Sequence, residues 1–411
     1  MSDTHAADSR YAWTRLVVAL ALMTIGSSAM YVVAVVLPSV QAEFGSARAD
    51  ASLPYTLLMI GFGVGGVLMG RLADRRGVAL PLLIGAAGLG AGFAAAAFAG
   101  SIWSFAVAHG VLLGLVGSST SFAPLVADTA LWFDRRRGIA VAICASGNYV
   151  AGAIWPPIVQ HFVESVGWRQ TYLGLGAFTF VTMTALALCM RGRAPALVTA
   201  GGRAGTNLAA RRRPFGVSNG AAQALLCIAG IACCVAMAMP QVHIVAYCGD
   251  LGYGASRGAQ MLSLMLACGV VSRLVSGAIC DRIGGVRTLL LGSVLQGIAL
   301  LLFLPFDSLA SLFLVSALFG LFQGGIVPSY AIIVREHFAA DEAGRRTGTV
   351  LMATLLGMAL GGWLSGKVFD LTGSYHAAFV NGVAWNLVNL SIALILLRGD
   401  RQRRRVAAAV A

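Results

Sequence analysis

The chain has 411 residues, of which 58% are hydrophobic and 11% charged, with a formal net charge of +13. A water-soluble protein carries roughly 25% charged residues, so this sequence cannot cover a fully water-facing surface and reads instead as a membrane protein. The positive charge is not that of a nucleic-acid binder, because the basic residues lie in short clusters between apolar runs rather than on one solvated face.

A membrane-spanning helix needs about 20 mostly apolar residues. Six such runs are predicted at 14–38, 52–70, 78–99, 102–127, 139–162 and 171–190. Six more follow at 217–247, 259–279, 287–305, 309–334, 347–368 and 376–397. The first run exceeds the ~7–15 residues of a signal-peptide core and reads as an uncleaved helix. Residues 191–216, rich in Arg, Gly and Ala, read as a cytoplasmic linker. The predicted organisation is a tail at 1–13, a bundle at 14–190, the linker, a bundle at 217–397 and a basic tail at 398–411. The fold class is therefore all-α, a polytopic membrane protein of twelve transmembrane helices in two pseudo-symmetric six-helix bundles.

Basic residues set the orientation. With the N-terminus inside, the inner segments hold 23 Lys and Arg residues and the outer segments hold 4: Arg48, Arg169, Arg257 and Lys367. Both termini are thus expected in the cytoplasm, and no nucleic-acid partner is needed to explain the charge. The tail residues Arg401, Arg403, Arg404 and Arg405 suit anionic lipid.

The eight cysteines form no Cys-x-x-Cys pair and lie almost wholly in apolar runs, so they read as small buried hydrophobes rather than metal or disulfide ligands. No Ser/His/Asp set, metal-spaced His cluster or phosphate-cradling Gly loop can be assembled. An enzyme, a metal site and a cofactor are not expected, and energy would come from solute or ion gradients.

The halves repeat. Gly70-x-x-x-Asp74-Arg75-x-Gly77 follows the second run, and Gly277-x-x-x-Asp281-Arg282-x-Gly284 follows the eighth at a constant separation of 207 residues. A weaker echo links Trp132-Phe133…Arg136-Arg137-Gly138 with His337-Phe338…Arg345-Arg346-Thr347-Gly348. Internal repeats of this kind mark transporter folds, with the solute site between the halves near the midplane.

Arg273 lies eight residues before Asp281, so about 12 Å along the helix from the inner loop at about 1.5 Å per residue. It is the only basic residue deep in any run. A charge at that depth is costly and points to function, and the guanidinium fork suits a carboxylate.

The paired Gly-x-x-x-Asp-Arg-x-Gly loops resemble the signature loop of the major facilitator superfamily. More narrowly, Trp132-Phe133…Ala140, Ala145-Ser146-Gly147-Asn148-Tyr149…Gly152, Gly167-Trp168-Arg169…Tyr172, Pro240-x-x-His243, Ser272-Arg273 and Asp370-Leu371-Thr372-Gly373 resemble the monocarboxylate transporter branch. Oxalate/formate antiporters are similar in outline. The resemblance implies a conformational latch made by Gly70, Asp74, Arg75 and Gly77, by Gly277, Asp281, Arg282 and Gly284, and by Arg136 and Arg137. It implies that Arg273 binds the carboxylate, and that His243, Asn148, Tyr149, Tyr31 and Tyr330 line the path. The family's Asp one turn before this Arg is Gly269 here, and the second deep cation of the oxalate exchangers is absent. One deep cation favours a monoanion. The expected function is secondary active transport of a small monocarboxylate by a monomer in a bacterial inner membrane, coupled to a proton or, alternatively, to a counter-anion. A carrier of another small solute is the further alternative. His109 has no motif context and is expected to pack.

Overall fold

The structure, a computed structural model, describes residues 8–192 and 214–410, with the side chains of 137, 340, 341 and 403–410 outside the description. Most of the expected linker, the Arg137 side chain and those of Arg403, Arg404 and Arg405 therefore lie outside the described residues.

Long apolar stretches with few internal turn signals leave the backbone one way to satisfy its polar groups in lipid, which is to bond within each segment as a helix. Among the described residues, twelve helices are long and apolar enough to cross a membrane. They are α1 (Arg10–Phe44), α2 (Arg48–Arg76), α3 (Ala79–Ala97), α4 (Ile102–Trp132), α5 (Gly138–Val166), α6 (Trp168–Cys189), α7 (Asn219–Asp250), α8 (Ala255–Ile283), α9 (Gly285–Leu302), α10 (Leu309–His337), α11 (Glu342–Thr372) and α12 (Tyr375–Gln402). Local chemistry sets the ends. The Ser9 hydroxyl accepts from the Ala12 N–H at the start of α1, which satisfies one of the orphan donors of a first turn. Gly77 and Gly284, both at φ +83°, end α2 and α8 in a conformation that side chains with a Cβ rarely adopt. α5 remains helical through Pro156 and Pro157.

Three helices depart from the expected continuous form, α1 at the single residue Ser27 and α4 and α10 over longer stretches. α4 passes through a π-helical stretch, Ala108–Gly117, and a 3-10 turn, Ser118–Ser121, before resuming at Ala123. α10 stops at Gln323 and resumes at Ile326. The separation of 207 residues that relates Asp74 to Asp281 also relates Gly117 to Gly324, so the two interruptions occupy equivalent places in the repeat. Close packing accompanies each. A β-carbon at Gly61 would sit 2.0 Å from the Gly110 carbonyl oxygen, and one at Gly65 would sit 2.1 Å from that of Leu115. In the second half the glycines move to the broken helix, where a β-carbon at Gly325 would meet Ser276 Cβ at 2.1 Å.

The chain packs as two compact units. The first takes the chain up to Ala200 together with Gln241–Ala267, and the second takes the rest. The end of α7 and the beginning of α8 thus belong with the first six helices rather than with their own sequence half. In the second unit the core gathers Leu226, Leu289, Tyr330, Ile333, Phe338 and Leu396, with Phe215 packed among them.

Candidate functional site

In the first unit, α1 and α5 approach closely because Gly147 and Gly152 offer no side chain. A β-carbon at Gly147 would lie 2.9 Å from Met23 Cβ, and one at Gly152 would lie 2.9 Å from the Tyr31 ring. The Tyr31 hydroxyl donates to Asn148 Oδ1 across this contact, and the Asn148 amide points its N–H at the Met30 sulfur, 3.5 Å away. Thr24 and Trp155 add bonds to main-chain carbonyls, the indole N–H reaching Thr24 O at 2.9 Å. Tyr149 and His243 are buried in the same unit, His243 completely. Tyr31 and Asn148, both expected on the solute path, are thus brought into direct contact.

His109 is satisfied as a neutral ring. Its Nδ1 lies 2.8 Å from the Phe105 carbonyl oxygen and its Nε2 lies 3.1 Å from the Tyr172 hydroxyl. That hydroxyl can donate to a bare nitrogen, so packing accounts for the residue.

Three ion pairs in this unit were not foreseen as pairs, Arg15 with Asp128, Arg48 with Asp250 and Arg169 with Glu43. Arg15 donates from Nε to Asp128 Oδ2 at 3.0 Å and from one terminal nitrogen to Oδ1 at 3.1 Å, with a further bond to the Met190 carbonyl. Both side chains are nearly out of reach of solvent, at 3% and 12% exposure. The guanidinium also lies 4.7 Å over the Trp132 ring. At the other end of the unit, Arg48 reaches both carboxylate oxygens of Asp250 at 3.2 and 3.1 Å.

The N-terminal tail docks on the loop after α4. The Asp8 N–H donates to the Trp132 carbonyl, and its carboxylate accepts from the backbone N–H groups of Asp134 and Arg135. Bonding from the Arg135 N–H, more than any other favourable contact, holds the Asp8 carboxyl below its usual range. A depressed carboxylate contributes above its unfolded pKa and loses that contribution as pH falls through its own lower value. The docked tail should therefore persist in mild acid and loosen only in strong acid. Asp8→Asn should loosen it at neutral pH, read as faster amide hydrogen exchange at Asp134 and Arg135. Unchanged exchange there would refute the contact.

In the second unit, Arg273 lies on α8 and is half-buried. Tyr330 is fully buried on α10 and donates to Asn389 Oδ1 at 3.1 Å. Asn389 in turn donates to Ser293 Oγ at 2.7 Å, Asn386 to the Ser293 carbonyl at 3.0 Å, and Gln296 to the Cys233 carbonyl at 3.1 Å. This placement favours packing for Tyr330 over the solute contact expected from its position. The network was missed, although its signal was present: Asn386 and Asn389, like Ser293 and Gln296, are three apart and so share a helix face.

The paired signature loops are exposed in their own units. Asp74 and Arg75 end α2, Asp281 and Arg282 end α8, and Arg136 is exposed before α5. Gly70 and Gly277 lie one turn earlier with open space where a β-carbon would stand. Among the described residues no group of His, Cys, Asp and Glu could hold a metal ion.

Twelve membrane-length helices, an internal repeat with interruptions at equivalent places, and polar residues held within the spans define the class: a polytopic helical transporter. The sequence profile of the Major Facilitator Superfamily matches residues 17–305 and 226–410, and the chain belongs to that superfamily. It is similar to Monocarboxylate transporter 13 of Rattus norvegicus, at 26% identity over 364 residues, covering 84% of this chain and 78% of that protein. It is also similar to the MFS-type transporter opdF of Penicillium oxalicum, at 25% identity over 345 residues, covering 80% and 76%. Among solved structures, a bacterial homolog of the human lysosomal transporter Spinster superposes with a TM-score of 0.70 at 13% identity, covering 95% of this chain and 96% of that one. The nucleoside transporter NupG gives 0.71 at 13% identity, covering 92% and 99%. These structures share the fold alone. The superfamily and the similar proteins are transporters, not enzymes, and the resemblance to the monocarboxylate branch holds.

Proposed function

We propose that this chain is a secondary carrier of small organic monoanions, working by alternating access, with Arg273 as the group that receives the carboxylate. The observation that carries the reading is a single arginine deep within a membrane span, half-buried on α8. An anion that pairs with it lowers the cost of enclosing the charge in a dry site, so solute binding and closure favour one another. The similarity to proteins named monocarboxylate transporters supports the same solute class. His243, Asn148, Tyr149 and Tyr31 are the proposed polar groups of the first unit, and the two Asp-Arg loops with Arg136 and Arg137 are the proposed latch. Proton symport is the first reading for coupling, with exchange against another anion as the alternative. The biased basic residues support an orientation with both ends in the cytoplasm, and the reading takes the protein as a monomer in a bacterial inner membrane.

Reconstituted vesicles test this reading. A panel of labelled carboxylates should show uptake of monoanions that rises when the outside is made acid. Uptake driven only by a preloaded anion would select exchange, and uptake of none of the panel would refute the solute class.

A further inference from the structure

The end of α1 and the end of α7 match in the repeat. The separation of 207 residues relates Glu43-Phe44-Gly45 to Asp250-Leu251-Gly252, and both glycines have positive φ, at +59° and +81°. The two carboxylates nevertheless bond in different directions. Glu43 stays within its own sequence half, where it accepts from Arg169 at 2.9 and 2.7 Å and from the Trp168 indole N–H. The residue in the place of Arg169 is His376, so the second half offers no arginine there. Asp250 instead accepts from Arg48, at the start of α2 in the first half.

Neither charge suits its own helix. Arg48 is the first residue of α2 and Asp250 is the last of α7. A helix N-terminus carries partial positive charge and a C-terminus partial negative charge, so each side chain opposes the end that bears it. Each gains from the other. The Arg48 side chain is 9% exposed and that of Asp250 39%, which keeps the carboxylate within reach of water. A pair at such a rim can open without stranding the carboxylate in a dry site.

A second layer of contact lies deeper in the span. Ser263 Oγ on α8 donates to the Ala153 carbonyl on α5. A β-carbon at Gly152 would meet both Leu266 on α8 and the Tyr31 ring on α1. Gln241–Ala267, the end of α7 and the beginning of α8, accordingly packs with the first unit. This segment is bounded by weak points in its helices. Pro240 has no N–H to bond the carbonyl four residues back. Gly269, two residues past the other boundary, is a poor helix former.

We propose that Gln241–Ala267 is a gate, latched by Arg48 on Asp250, that must part from α1, α2 and α5 before the solute path opens at this face. Alternating access moves one repeat against the other, so a contact between sequence halves at one face belongs to only one of the two access states. In the orientation of the proposed reading, this face is the outer one. The inner layer of the gate rests on Tyr31, a residue of the proposed path, so its parting frees one side of that ring. The inference needs the transporter class and not the identity of the solute.

The test measures the distance across the latch by electron spin resonance, on the full-length protein in lipid nanodiscs. Nitroxides are carried on encoded amino acids at the exposed positions Ala47 and Arg257, which leaves the native cysteines unlabelled. One short distance should dominate while the latch is intact. Asp250→Asn should raise the ratio of long to short distances about tenfold, and Arg48→Gln should do the same from the other side. Arg48→Asp combined with Asp250→Arg rebuilds the pair and places both charges favourably on their helices, so the short distance should return. Should Arg48→Gln not fold, Asp250→Asn and the charge swap decide the matter alone. A distribution unchanged by Asp250→Asn would overturn the proposal. So would a charge swap that stays long, because the effect would then belong to packing at these positions and not to the pair. No carried solute enters either readout, so failure here is distinct from failure of the carboxylate reading.

Discussion

Arg273→Ala is expected to abolish measurable uptake of small monocarboxylates in reconstituted vesicles, by about 100-fold or more. A hydrogen bond to a charged group contributes about 1.5–3 kcal/mol, and a guanidinium can offer a carboxylate two of them. Two such bonds, at about 1.4 kcal/mol per factor of ten, span about 100-fold to about 10,000-fold. Arg273→Lys keeps the charge but loses the planar fork, so it should retain part of the activity with weaker apparent affinity. Correct insertion of both variants is checked by size-exclusion behaviour. Wild-type rates in a correctly inserted Arg273→Ala protein would remove the main support for a carboxylate cargo.

The second large effect concerns folding rather than transport. Asp128→Ala leaves the Arg15 guanidinium buried beside Trp132 with its two carboxylate bonds removed. Breaking a buried pair from one side costs about 3–5 kcal/mol, and thermal unfolding in detergent should fall accordingly. Replacing both partners, as Arg15→Met with Asp128→Leu, should restore most of the loss, because the uncompensated charge is gone. A single variant as stable as the parent would mean that the pair contributes little, and a double variant worse than the single would mean that the charge itself is needed.

The sequence disclosed the twelve helices because lipid imposes one strong rule, about 20 apolar residues per span, and because glycine marks the ends of α2 and α8. It disclosed the repeat because Asp74 and Asp281 keep both residue type and spacing. The interruptions of α4 and α10 were not legible, since a π stretch such as Ala108–Gly117 uses the same apolar residues as an α-helix and is chosen by packing against α2. The partition of α7 and α8 between the units was also hidden, because it depends on tertiary contact such as Arg48 with Asp250 rather than on local pattern. For the site, Arg273 lies within the membrane-length helix α8, eight residues before Asp281. Direction was the harder quantity. Tyr330 lies on a helix where a path-lining residue was expected, yet its hydroxyl is committed to Asn389 in the core. His337 was read only as part of a repeat echo, because its partner Asp400 lies 63 residues away.

A charge-matched pair of solutes reaches the central question most directly. Counterflow of lactate and of its uncharged amide would be compared in vesicles bearing the unmodified protein and Arg273→Gln. Strong preference for the anion in the unmodified protein, lost in the variant, is the predicted result. Equal movement of both solutes in the unmodified protein, or an anion preference that survives the substitution, would contradict it.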